Sequence, residues 1–199
     1  MSAENVPEVP QIEFGHEVAD IRKTAIDPNF WYPIARSKDV KAGKTRAVSF
    51  SGESIVLVRP KKGKLFALEN RCAHRQVPLD IGKISGCTIK CGYHGWEYDA
   101  KGHCISIPYL DARKTKRNSV KHYPSKEAYG LIFIFPGDIE NATDEAFPNV
   151  PSATKPKYKT RYLDRAVDCH YTFMHENLMD MNHQFLHRKL MGGIKTMFL

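Results

Sequence analysis

The chain has 199 residues, 42% hydrophobic and 26% charged, enough for one full domain and part of a second. Its formal net charge of +8 invites an acidic partner, but the Lys and Arg residues are scattered and no nucleic-acid motif appears, so a nucleic-acid binder is not expected. No apolar run reaches the length of a membrane span, and Met-Ser-Ala-Glu-Asn-Val-Pro lacks a basic-then-apolar leader pattern, which predicts a cytoplasmic protein with no membrane association.

Residues 1–29 are polar and proline-spotted and are expected to form an N-terminal arm. From Phe30 to about residue 140 the texture is that of short strands. Phe30–Ala35, Ala47–Phe50, Ser54–Arg59, Lys64–Leu68, Trp96–Asp99, His103–Ile107 and Leu131–Phe135 are rich in branched and aromatic residues. Ser51-Gly52-Glu53, Lys61-Lys62-Gly63 and Ala100-Lys101-Gly102 supply turns between them, the second within a basic stretch that reads as a solvated hairpin turn. This spacing predicts an all-β sandwich or small barrel. Residues 141–157, with Pro148, Pro151 and Pro156, read as a linker. A strand over Tyr158–Cys169 and a helix from Tyr171 to Met191, stopped by Gly192-Gly193, are expected next. The fold class is thus α+β: an all-β domain, then the opening strand and helix (158–199) of a second domain.

Two segments of the β region carry metal chemistry. Cys72-Ala73-His74 and Cys91-Gly92-Tyr93-His94 each supply one thiolate and one imidazole, with sixteen residues between them. A [2Fe–2S] centre with two cysteines on one iron and two histidines on the other needs this set, and mixed loops let each loop reach both irons. A structural Cys₂His₂ zinc site is the alternative, although zinc signatures pair Cys with Cys and His with His. The other thiols, Cys87, Cys104 and Cys169, are expected to be buried and free.

A second constellation lies on the predicted helix. Glu176, Asp180, His183 and His187 fall at i, i+4, i+7 and i+11, on one helical stripe. His183 and His187 are one turn apart and could converge on one ion; two His and a carboxylate suit non-haem Fe(II) with open positions. The plain alternative is the polar outer face of an amphipathic helix.

With these residues in view, the chain resembles the Rieske family, C-x-H…C-x-x-H-G, at Cys72, His74, Cys91, His94 and Gly95. Rieske proteins of cytochrome bc complexes carry an extra cysteine in each loop, where this chain has Val77 and Tyr93, and a serine donor to the cluster where it has Trp96. Fewer donors to the sulfurs would lower the cluster potential. Cys91-Gly92-Tyr93-His94-Gly95-Trp96-Glu97-Tyr98 looks instead like the Rieske oxygenases, and Glu176–His183 resembles their motif E/D-N-x-x-D-x-x-H.

That resemblance implies a [2Fe–2S] cluster held by Cys72, His74, Cys91 and His94, and a mononuclear Fe(II) held by His183 and His187. Asp180 would be the catalytic bridge between a Rieske histidine of a neighbouring subunit and an iron-ligating histidine. It implies electrons drawn from NAD(P)H through a reductase, with or without an acidic ferredoxin. It also implies O₂, a small organic substrate that is hydroxylated or dealkylated, and a head-to-tail homotrimer. Two departures stand out. Three residues rather than four separate His183 from His187, and no Asp or Glu follows Asp180 to act as third ligand. The chain is therefore expected to be the N-terminal part of an oxygenase α subunit, inactive alone. A Rieske ferredoxin-like electron carrier is the alternative.

Overall fold

The computed structural model describes residues 20–110 and 118–180. The chain divides into two compact units, one spanning Ile26–Arg161 and the other formed by Met1–Ala25 with Tyr162–Leu199.

The larger unit is built of short antiparallel strands. In chain order they are β1 (Tyr32–Arg36), β2 (Lys44–Phe50), β3 (Glu53–Arg59), β4 (Phe66–Glu69), β5 (Lys83–Ser85), β6 (Thr88–Lys90), β7 (Glu97–Tyr98), β8 (Cys104–Ser106), β9 (His122–Tyr123), β10 (Ser125–Ala128) and β11 (Leu131–Ile134). They form three sheets, ordered β1-β11-β10, β2-β3-β4-β9 and β5-β6-β7-β8. The β2–β3 hairpin pairs in register from Lys44↔Arg59 to Phe50↔Glu53. Its two-residue turn places Ser51 and Gly52 at φ 49° and 83°, the left-handed pair that matches strand twist.

Strand β3 explains the packing. Ile55, Val56, Leu57 and Val58 are all fully buried, because both faces of this strand are covered. Successive side chains point to opposite faces. Val56 and Val58 join Phe66, Leu68, Leu79, Ile89 and Tyr98 in one core, which also encloses Cys72, Cys91 and Cys104. Ile55 and Leu57 join Val40, Ala67, Tyr123, Ile132 and Ile134 in the other. A third, aromatic cluster sets Trp31 edge-on to Phe135 (5.5 Å) and Phe147 (5.3 Å).

The chain after residue 150 departs from expectation. Residues 158–169 form no strand; no described strand pairs with them, and they are exposed. A short helix α1 (Pro151–Thr154) precedes them, and α2 spans only Tyr171–Met179. The predicted helix to Met191 is cut at Asp180, whose φ/ψ of −78°/95° is extended and whose N–H bonds the Glu176 carbonyl as a cap. Residues 181–191 of that prediction, like residues 1–19 of the arm, lie outside the described residues. Tyr171 Oη donates to the Thr24 carbonyl at 2.7 Å, tying α2 to the segment before Ala25.

Candidate metal centre

The third sheet positions the two Cys/His segments. The first loop leaves β4 of the second sheet at Glu69 and enters the third sheet at β5; the second links β6 to β7 within the third sheet. The base of the first loop is clamped by Asn70, the buried polar residue of the core at 8% exposure. Its side-chain amide donates to the Asp80 carboxylate (2.9 Å) and to Ser54 Oγ (3.2 Å), while its carbonyl oxygen accepts from the Asp80 N–H (2.9 Å). Thr45 Oγ1 donates to the Asp80 carbonyl at 2.7 Å, holding the same corner to β2.

Inside the loops the backbone repeats itself. The Cys72 N–H donates to the Val77 carbonyl (2.8 Å), and the Gln76 N–H donates to the Cys72 carbonyl (2.9 Å). The Cys91 N–H donates to the Trp96 carbonyl (2.7 Å), and the Gly95 N–H donates to the Cys91 carbonyl (3.1 Å). The ring closes in each case through a residue in the left-handed region, Gln76 at φ 62° and Gly95 at φ 73°. Two different sequences thus fold into one loop shape, each starting at a cysteine.

The consequence is a segregation of donors. Cys72 and Cys91 are 2% and 4% exposed, inside the core. His74 and His94 lie at the surface, with ring centroids 4.7 Å apart. Trp96 stacks flat on His74 at 4.8 Å, and Tyr93 lies against His94 at 3.7 Å. Burial pushes the Cys91 thiol up. The His74 imidazole is held below its usual range, first by desolvation and then by His94 and Arg75. Among the described residues no three His, Cys, Asp or Glu side chains are placed around a single ion. Two thiols inside and two imidazoles outside fit a dinuclear cluster, in which each iron takes only two protein ligands.

Sequence reasoning missed one partner of this set. The Tyr98 hydroxyl lies 3.2 Å from Cys72 Sγ and accepts from the Ala73 N–H at 3.1 Å. Tyr98 is fully buried, and that burial raises its phenol well above the ordinary range, so it stays a donor. A partner for the Cys72 sulfur thus comes from Tyr98, the inward-facing residue of β7. The alternation that aims Tyr98 inward was the available signal. The remaining thiols divide. Cys104 is buried as expected, whereas Cys87 and Cys169 are exposed. Cys87 sits in the β5–β6 turn and Cys169 in the bend before α2, not in strands.

Asp180 is exposed and caps the C-terminus of α2, its N–H bonding the carbonyl of Glu176 one turn back. His183 and His187 lie outside the described residues.

Comparison with known proteins supplies the family. A profile of the Rieske [2Fe-2S] domain matches residues 30–124. A profile of the vanillate O-demethylase oxygenase C-terminal domain matches residues 167–197. The chain belongs to the Rieske oxygenase family. It is 33% identical over 189 residues to a 4beta-methylsterol monooxygenase of Methylococcus capsulatus, covering 93% of this chain and 50% of that protein. It is 32% identical over 161 residues to the oxygenase component of dicamba O-demethylase from Stenotrophomonas maltophilia, covering 80% of this chain and 47% of that one. A crystal structure of dicamba monooxygenase bound to dicamba superposes with a TM-score of 0.72 at 32% identity, over 81% of this chain and 48% of that chain. This Rieske oxygenase chain thus spans about half the length of these relatives.

Proposed function

We propose that this chain is the electron-transferring half of a Rieske oxygenase α subunit. Residues 30–140 form its cluster domain, 141–157 a linker, and 158–199 the beginning of the mononuclear-iron domain. Cys72 and Cys91 hold one iron of a [2Fe–2S] cluster, and His74 and His94 hold the other. The observation that carries this reading is the sorting of donors: buried thiols and surface imidazoles on two loops of one shape.

In the whole protein His183 and His187 ligate Fe(II), and Asp180 accepts hydrogen bonds that orient an imidazole on each side of the electron path. When bound, the cluster supplies one-electron transfer and the Fe(II) supplies open positions for O₂ beside an organic substrate, which is hydroxylated or dealkylated. The chain's own residues do the rest. The core around Val56, Val58, Leu68 and Leu79 excludes water from the thiolates, Tyr98 donates to the Cys72 sulfur, and Trp96 fixes the plane of the His74 ring. Electrons come from NAD(P)H through a reductase, directly or by a ferredoxin, in the cytoplasm. A head-to-tail trimer brings one subunit's cluster to the next subunit's iron.

Anaerobic assembly with iron and sulfide tests the assignment. The expected product is coloured and carries equal iron and acid-labile sulfide, two of each per chain. Cys72→Ser and Cys91→Ser abolish it, and His94→Cys lowers the midpoint potential by hundreds of millivolts, on the order of the gap between Rieske and all-cysteine centres. Tightly bound zinc without labile sulfide refutes it.

A further inference from the structure

Beside the cluster loops lies a half-open groove of about 560 Å³, between the start of β2 and the β5–β6 hairpin. Its side chains of note are Lys44, Lys61 and Lys83, its floor includes Gly82, and no carboxylate lines it. Among the described residues none of these three lysines makes an ion pair. They come from three separate segments brought together by the fold. Lys61 lies over Gly43, where a Cβ would meet its Cγ at 3.0 Å, and the β3–β4 turn touches the β5–β6 turn through Cys87 Sγ and the Lys62 carbonyl (3.5 Å). The basic turn that looks merely solvated in the sequence is one wall of this groove.

One lining residue, Gly82, connects the groove to the second Cys/His loop. A Cβ on Gly82 would stand 2.4 Å from the Lys90 carbonyl oxygen, so the base of the first loop presses on the residue before Cys91. A Cβ on Gly92, the residue after Cys91, would stand 3.8 Å from the Gly82 Cα. Gly82, which lines the groove, thus touches the backbone on both sides of Cys91.

We infer that this groove docks the acidic face of the one-electron carrier protein that reduces the chain, and that the electron enters through Gly82 and Gly92 to Cys91. This rests on the cluster assignment above. Three unpaired ammonium groups lose little on meeting carboxylates and gain long-range steering, and a small, open, polar site suits the brief encounters of electron carriers. One electron leaves the carrier, which is oxidised by one, and is taken up at the centre held by Cys91; no covalent bond forms or breaks.

The test uses the cluster-loaded chain and an acidic flavodoxin in its fully reduced form, mixed in a stopped-flow cell and followed by flavin absorption. Lys44→Glu, Lys61→Glu and Lys83→Glu together should slow second-order reduction by about tenfold or more at low salt and flatten its salt dependence. Lys44→Gln, Lys61→Gln and Lys83→Gln together should show a smaller loss with the same cluster spectrum. Lys155→Glu, Lys157→Glu and Lys159→Glu together make the same change in net charge and should stay within about twofold of the parent. Zero-length carbodiimide coupling, which needs no electron transfer, should join carrier carboxylates to Lys44, Lys61 or Lys83. Equal slowing by the control set, or cross-links elsewhere, overturns the docking site while leaving the cluster assignment standing. A parent oligomer that dissociates when the three lysines are reversed also overturns it, giving the groove to a second copy. A parent chain that assembles no cluster refutes both readings.

Discussion

Tyr98→Phe isolates one oxygen. The substitution keeps the ring in the core and deletes the hydroxyl that lies 3.2 Å from Cys72 Sγ and 3.1 Å from the Ala73 nitrogen. With Cys72 a thiolate, Tyr98 must donate, and the reduced cluster, one charge more negative, gains more from that donor than the oxidised one. A hydrogen bond to a charged group contributes about 1.5–3 kcal/mol, and roughly half of that as the difference between redox states is about 1 kcal/mol. For a one-electron couple 59 mV is a tenfold change, about 1.4 kcal/mol, so the midpoint potential should fall by about 40–60 mV. The loss of a partner for the Ala73 N–H should cost the protein on the order of 1 kcal/mol in addition. A redox titration followed by visible absorption reads the first effect and urea unfolding of the metal-free chain reads the second. An unchanged or raised potential in a variant that keeps the cluster spectrum would refute the role given to Tyr98.

Other substitutions probe the scaffold. Asn70→Ala removes the amide that clamps the first loop to Asp80 and Ser54; it should destabilise the chain by about 2–3 kcal/mol in urea and speed cluster loss to a chelator. Gly82→Ala puts a methyl group 2.4 Å from the Lys90 carbonyl oxygen and 2.8 Å from that of Leu79. Since both neighbours are backbone, a loss of about 2 kcal/mol or more is expected by the same measurement. Acid should weaken the fold through Glu127, whose carboxyl is held below its usual value of 4.5 chiefly by the two-point ion pair with Arg59 at 2.6 and 2.8 Å. The folded value lies below the unfolded one, so the pair stabilises the fold above about pH 4.5, and that contribution disappears as pH falls through the lowered folded value. Glu127→Gln should therefore flatten the acid limb of stability against pH, and an unaltered limb would exclude the pair as its source.

Much of the architecture was legible because it depends on local patterns. Ile55-Val56-Leu57-Val58 is a continuous apolar run, and it is the strand with both faces covered. Ser51-Gly52 marked the hairpin, and the left-handed φ values there are the reason. The strands that went unseen, β5, β6, β9 and β10, have two to four residues each, too few to display a clear alternation, and it is the β5–β6 turn that leaves Cys87 at the surface. The expected helix is interrupted at Asp180: the apolar spacing runs on through Met181 and Phe185, whereas the break is a backbone event that no side-chain period encodes. Tyr158–Cys169 has strand-like composition, but a strand exists only with a neighbour, and the described chain offers it none. At the candidate metal centre Cys72, His74, Cys91 and His94 stood out by residue type and spacing. Which pair faces inward, and that Tyr98 joins them, depends on packing.

The matched hydrogen-bond rings at Cys72 and Cys91 are made entirely of main-chain groups. Residues flanking each histidine can therefore be exchanged without disturbing the grip on the thiolates, provided one position per ring tolerates a left-handed turn. Such a scaffold separates retention of the prosthetic group from adjustment of its energetics, so lineages could retune their driving force by altering Tyr93, Trp96 or Tyr98 while the anchoring skeleton stays fixed.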